Sequence, residues 1–187
     1  MPEATCIYNL FPLLAGPIER WPDHLPRIRE MNFDWVYVNP FHYPGFSGSL
    51  YAIKDFDELH PIVRGGSSRP TVDLVSDFAT SAGASGLKVM MDLVVNHTSK
   101  DALLVKAHPD WYLREDDGGL RSPRAVDPVD PRKATVWGDL AEIDYGNAET
   151  RSTLLDHWVD YAVRYTKAGV AGFRCDAAYQ GPSDFWQ

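Results

Sequence analysis

Four short apolar runs, at residues 5–10, 35–39, 88–95 and 170–175, decide what this chain can fold into. None shows clean polar alternation, so none reads as a strand with one wet face. Such runs suit parallel strands buried on both faces. Helical spacing fills the intervals between them. Residues 25–31 follow a Pro-rich entry. Residues 71–82 carry Val72, Val75, Phe78 and Ala79 at helical intervals, with Gly83 as the expected stop. Residues 151–167 place Leu154, Leu155, Trp158, Ala162 and Tyr165 on one face. Asn147 is the expected cap of that helix, and Lys167-Ala168-Gly169 suits its end. Strand alternating with helix predicts an α/β fold of parallel βα units with right-handed crossovers.

Two connections, at about 40–70 and 96–146, are too long to be turns and are rich in Pro and Gly. Both follow a strand, so both belong to the C-terminal face of the sheet. That is where α/β barrels and open α/β sheets build their sites. The second connection is long enough for a small subdomain. A (β/α)8 barrel takes about 250 residues, and this chain has 187. Four βα units make half a barrel, so the chain is expected to be the first part of one.

Charge and cysteine content narrow the setting. Lys and Arg total 18 against 26 Asp and Glu, a formal charge of −8. That argues against nucleic acid or an anionic membrane as a partner, since both demand a basic surface. No apolar run approaches the roughly 18 residues of a membrane span, and no signal peptide is visible, so a cytoplasmic protein is expected. Cys6 and Cys175 each sit in an apolar run and are expected to be buried free thiols.

The chemistry-bearing residues cluster at the ends of the third and fourth runs. Arg174 and Asp176 are two apart, a spacing that points both side chains to one face of a strand. A guanidinium beside a carboxylate favours the carboxylate's charged form, which a covalent nucleophile needs. A structural ion pair has the same spacing and, for an isolated pair, is the commoner case. Asp92 lies inside the apolar third run, where a carboxylate is costly unless paired. Arg174 on the neighbouring strand would pair it. Asn96 and His97 stand just past that strand, where His97 can donate to a ligand. Together these residues make a polar site at the strand ends the better reading. A metal-binding protein using Asp92, His97 and Asp176 is a weaker alternative, because no close-set ligand motif is present.

Asp92-Leu93-Val94-Val95-Asn96-His97 and Gly172-Phe173-Arg174-Cys175-Asp176 resemble the first and second signature regions of the α-amylase family, glycoside hydrolase family 13. Asn39-Pro40-Phe41-His42 and Tyr51-Ala52-Ile53-Lys54-Asp55-Phe56 are similar to that family too. The resemblance covers nearly the whole chain. It implies a partial (β/α)8 TIM barrel, about strands one to four across residues 1–187, with a B-domain-like insertion at 98–146.

The resemblance also implies roles. Asp176 is the nucleophile of a retaining reaction on α-1,4-glucosidic bonds, and Arg174 holds it ionised. His97 hydrogen-bonds the sugar, Tyr51 stacks on it, and Asp92 pairs with Arg174 and braces the site. Asn96 matches a position that binds calcium in some members and is structural in others; no other cofactor is implied. The substrate implied is an α-glucan or maltooligosaccharide. The family's general-acid Glu follows the fifth strand, so the remainder of the barrel is expected in a full-length chain, and this polypeptide alone is expected to be an inactive fragment.

Two readings of the reaction stand side by side, with hydrolysis first. Ala177-Ala178-Tyr179-Gln180 departs from calcium-dependent endo-amylases, and Gly48 departs from oligosaccharide α-glucosidases. The opening Tyr8–Gly16 segment resembles the family's maltosyltransferases, so glycosyl transfer, of that kind or like a trehalose synthase, is the alternative. A non-catalytic carbohydrate-binding remnant is the third reading. Intact Arg174, Asp176 and His97 weigh against it.

Overall fold

The computed structural model describes residues 4–186. Its centre is a four-stranded parallel sheet of β1 (Ile7–Leu10), β2 (Trp35–Val38), β3 (Lys88–Leu93) and β4 (Gly172–Cys175), laid side by side in chain order. The four apolar runs are these four strands. A 3-10 turn at Ile18–His24 and helix α1 (Leu25–Glu30) connect β1 to β2. Helix α2 (Thr71–Ala84) precedes β3, and α3 (Arg151–Lys167) precedes β4.

The two faces of the sheet differ. In β2, Val36 and Val38 are buried while Trp35 and Tyr37 are half-buried. The buried set packs toward the helices in one continuous core with Leu74, Phe78, Leu154, Trp158 and Tyr165. Leu154 is wholly buried there, which contributes about 1.5–3 kcal/mol by transfer from water. The other face carries Asn9, Tyr37 and Met90 at one level, by direct register. One step further on, Arg174 stands opposite Asp92. Register alone therefore places the polar residues of three strands next to one another.

Several local expectations change. Gly83 lies inside α2 rather than ending it. The stop is Gly86, at φ +71, with the Leu87 N–H returning to the Ala82 carbonyl at 2.9 Å. Gly169, at φ +97, ends α3 as the sequence suggests. Asn147 is not the cap of α3. Thr150 occupies that place, and the Asn147 Oδ1 accepts the Glu149 N–H instead. The buried face of α3 is Leu154, Trp158, Tyr161 and Tyr165. Neither cysteine is fully buried: Cys6 is exposed and Cys175 half-buried, both free. Cys6 lies just before β1 and Cys175 ends β4, and these two strands have a neighbour on one side only among the described residues.

The long connections are folded. His42–Pro44 pairs antiparallel with Ile53–Leu59. His97–Ser99 pairs with Leu140–Glu142, and Arg124–Val126 with Ala134–Val136. The first of these pairings delivers Tyr51, and the second delivers His97, to the carboxyl ends of the parallel strands.

Candidate active site

Parallel register fixes the centre. Arg174 Nη1 donates to Asp92 Oδ1 at 3.1 Å and to Asp176 Oδ1 at 2.5 Å. One guanidinium nitrogen thus bridges a buried carboxylate and one that faces a cavity. The Asp92 side chain has no exposed surface, whereas that of Arg174 is 44% exposed. The Asp176 N–H is anchored to the Leu93 carbonyl at 3.0 Å. The next residue, Ala177, takes left-handed backbone at φ +41. For a residue with a Cβ this costs about 1–2 kcal/mol. Such strain persists where the surroundings over-determine it, and functional sites are common places for it.

Asp92 is held by donors on every side. Tyr51 Oη donates to its Oδ2 at 3.0 Å, and Tyr37 Oη makes a short hydrogen bond to the same oxygen. Burial pushes the Asp92 carboxyl above the ordinary range, and hydrogen bonds from Tyr37, Arg174 and Tyr51 pull it back. Burial also works against the Arg174 charge, but the hydrogen bond and charge of Asp92, then those of Asp176, outweigh it and raise its pKa. Both shifts favour the protonated form, which keeps Arg174 charged but draws Asp92 toward neutrality. The contacts fit the ionised pair: Arg174, Tyr37 and Tyr51 all donate to the Asp92 carboxylate, and the two phenol oxygens already accept from Asn39 Nδ2.

Asp176, Arg174, Tyr51, Asn96 and His97 line one cavity of about 380 Å³, with Ser49, Trp137, Asp139, Tyr179 and Gln180 among the other walls. His97 is 5% exposed. Burial lowers its pKa against the opposing charge of Asp176, so its neutral form is favoured. Its Nε2 is buried without a hydrogen-bond partner, and so is Asn96 Oδ1. Buried polar atoms left over on a cavity wall are what a polyhydroxylated ligand can satisfy. Arg174 stands 6.0 Å from the centroid of the Tyr51 ring.

Asn96 is anchored through its amide nitrogen. Its Nδ2 donates to Gln180 Oε1 at 2.8 Å, leaving one amide oxygen. Among the described residues no three His, Cys, Asp or Glu side chains come together around a metal.

All six residues singled out in the sequence therefore converge. Sequence reasoning missed Tyr37 and Asn39. Asn39 Nδ2 donates to Tyr37 Oη and Tyr51 Oη, both at 3.2 Å, and its Oδ1 accepts from Asn9 Nδ2 at 2.8 Å. The signal was present as a two-residue alternation, Tyr37 then Asn39, within an otherwise apolar run.

A family model described as "Glycogen debranching enzyme, glucanotransferase domain" matches residues 3–116, more than half of the chain. The chain belongs to the α-amylase family. Among its curated relatives is an alpha-1,4-glucan:maltose-1-phosphate maltosyltransferase from Burkholderia pseudomallei, 26% identical over 92% of this chain and 14% of the relative. The maltosyltransferase of the same name from Salinibacter ruber is 29% identical over 88% of this chain and 26% of its own length. An α-amylase from Lactobacillus plantarum has a similar crystal structure, with a TM-score of 0.77 and 29% identity. That match covers 97% of this chain and 40% of the amylase. The α-amylase-family chain described here thus spans only a minor part of each of these proteins. The two curated relatives named are transferases, in line with the maltosyltransferase-like opening at residues 8–16 rather than with hydrolysis. Among the described residues no helix is long and apolar enough to cross a membrane.

Proposed function

We propose that this chain carries the nucleophile side of an α-glucan-active site, and that the reaction is glycosyl transfer through a covalent glycosyl-enzyme on Asp176. The proposal includes the architecture: β1 to β4 as the first strands of a (β/α)8 barrel, with residues 98–146 as an inserted subdomain. The observation that carries it is Arg174 Nη1, shared between buried Asp92 and cavity-facing Asp176. That arrangement presents an oriented carboxylate beside unsatisfied donors and acceptors.

In the first step an Asp176 oxygen attacks the anomeric carbon, the glycosidic C–O bond breaks, and the leaving oxygen takes a proton. A sugar hydroxyl then attacks the same carbon and releases Asp176 as carboxylate, with retention of configuration. Retaining chemistry places a second carboxyl about 5 Å from the nucleophile as acid and then base. None of the roles assigned above supplies it. His97 and Tyr51 bind and orient the sugar. Arg174 and Asp92 hold the nucleophile. The named relatives support maltosyl transfer to an α-1,4-glucan. Hydrolysis is the second reading, favoured by the α-amylase of similar structure.

The test uses α-maltosyl fluoride as donor and isotopically labelled maltose as acceptor; fluoride leaves without protonation, so a chain inactive on glucans for want of the general acid can still form the glycosyl-enzyme. Transfer predicts labelled maltotetraose, lost in Asp176→Asn. Maltose as the sole product would overturn transfer in favour of hydrolysis. Turnover that persists in Asp176→Asn would overturn the nucleophile assignment.

A further inference from the structure

Tyr37 belongs to no assignment made so far, yet it occupies the middle of the polar row. We infer that Tyr37, held by Asn39, is a positioning residue. Its hydroxyl fixes the buried Asp92 carboxylate, which fixes the Arg174 guanidinium that aims Asp176. The inference rests on the nucleophile reading above.

The geometry runs across all four strands. Asn9 on β1 donates to Asn39 Oδ1, just past the end of β2, at 2.8 Å. Asn39 spends its amide on the Tyr37 and Tyr51 oxygens. Each phenol therefore has its lone pair engaged, and its one proton is left to donate to Asp92 Oδ2. With Oδ2 occupied by two phenols, Oδ1 is the oxygen that meets Arg174 Nη1 most closely. The same Nη1 reaches Asp176. Rotation of the Asp92 carboxylate would pull this nitrogen off line, and the two phenols prevent it. Burial of Tyr37 and its hydrogen bond to Asp92 both raise its own pKa, which keeps the phenol protonated and donating.

Tyr37 and Tyr51 are not equivalent. Tyr51 lines the substrate cavity, so a substrate could displace it or stack on it. Tyr37 sits on the strand itself, and its register partners are Asn9 and Met90. It holds Asp92 whether or not the cavity is occupied. The charged and titratable groups coupled to Asp92 among the described residues are Tyr37 from β2, Tyr51 from the following loop, Tyr161 from α3, and Arg174 and Cys175 from β4, with Asp176 behind Arg174.

The test is Tyr37→Phe in the 187-residue chain, which keeps the ring and removes the hydroxyl. The first readout is the titration of the Asp92 carboxyl by carbon-13 NMR, which requires no catalysis. Loss of one hydrogen bond to a charged group should raise the Asp92 pKa by about one to two units. The second readout is the rate at which ring-fluorinated maltosyl fluoride labels Asp176. That rate should fall about tenfold at saturating reagent, with little change in half-saturation. An unmoved Asp92 titration overturns the positioning role. A shifted titration with an unchanged labelling rate also overturns it, since Tyr37 would then act on Asp92 alone. A wild-type chain that never labels overturns the nucleophile reading instead, and the NMR arm still decides whether Tyr37 holds Asp92. Near-ultraviolet circular dichroism of Tyr37→Phe checks that the fold survives, and Tyr37→Trp, lacking the hydroxyl but filling the site, repeats the measurement if it does not.

Discussion

Removing Arg174 should cost this protein stability chiefly through what it strands. In Arg174→Leu the Asp92 side chain, with no exposed surface, loses its only cationic partner among the described contacts. Breaking one side of a buried ion pair costs about 3–5 kcal/mol. Two features reduce that here. Arg174 is 44% exposed, so water already screens part of the attraction. Tyr37 and Tyr51 go on donating to Asp92. The expected loss is therefore about 2–3 kcal/mol, or a drop of about 4–12 °C in Tm for a chain of this size.

Urea unfolding at pH 7 measures that loss directly. Arg174→Leu combined with Asp92→Leu should recover most of it, giving a coupling of about 1–3 kcal/mol. The pH dependence has a definite sign. Loss of Arg174 raises the folded pKa of Asp92 still further, so the penalty is full at neutral pH. It fades as the pH falls through the folded pKa of the variant, where Asp92 takes a proton. Losses in the double variant that simply add, within about 0.5 kcal/mol, would refute the reasoning.

Two further outcomes follow from the fold. His42 is 1% exposed, bonded to Tyr165 Oη at 2.9 Å, and burial pushes its pKa down to about 3. It is neutral when folded, so the stability it protects is complete above about pH 6.5. That stability falls by about 1.4 kcal/mol per unit as the unfolded chain gains the proton. His42→Gln should flatten this acid slope in urea titrations between pH 4 and 6.5; an identical slope would contradict the buried neutral state. Gly45→Ala should destabilise by about 1–3 kcal/mol, because a Cβ there would overlap the Ser99 hydroxyl and crowd Asp101. Thermal unfolding reads it, and an unchanged Tm would show that Ser99 moves aside freely.

What the sequence disclosed and withheld has a physical pattern. The strands were legible because burial on both faces leaves continuous apolar runs. The Arg174–Asp92 pairing was legible because a carboxylate inside such a run demands a cation. Tyr37 was not, since a phenol in a strand reads as packing until its register partners are known. The fate of the cysteines depended on Cys6 entering, and Cys175 ending, an outermost strand, which is a matter of strand order and not of local pattern. The pairing of His42–Pro44 with Ile53–Leu59 was hidden in a Pro- and Gly-rich stretch, where register is set by non-local contacts. Gly83 misled because a helix tolerates an interior glycine, whereas Gly86 adopts the positive φ that ends it.

The central claim is that Asp176 forms a covalent bond to sugar. Incubation of the chain with maltosyl fluoride bearing a ring fluorine, which slows breakdown of the glycosyl-enzyme, followed by digestion and mass spectrometry, tests it most directly. The account predicts one maltosyl group on the peptide containing Asp176, and none in Asp176→Asn. A label on any other residue, or an unlabelled chain that still turns the reagent over, would contradict it.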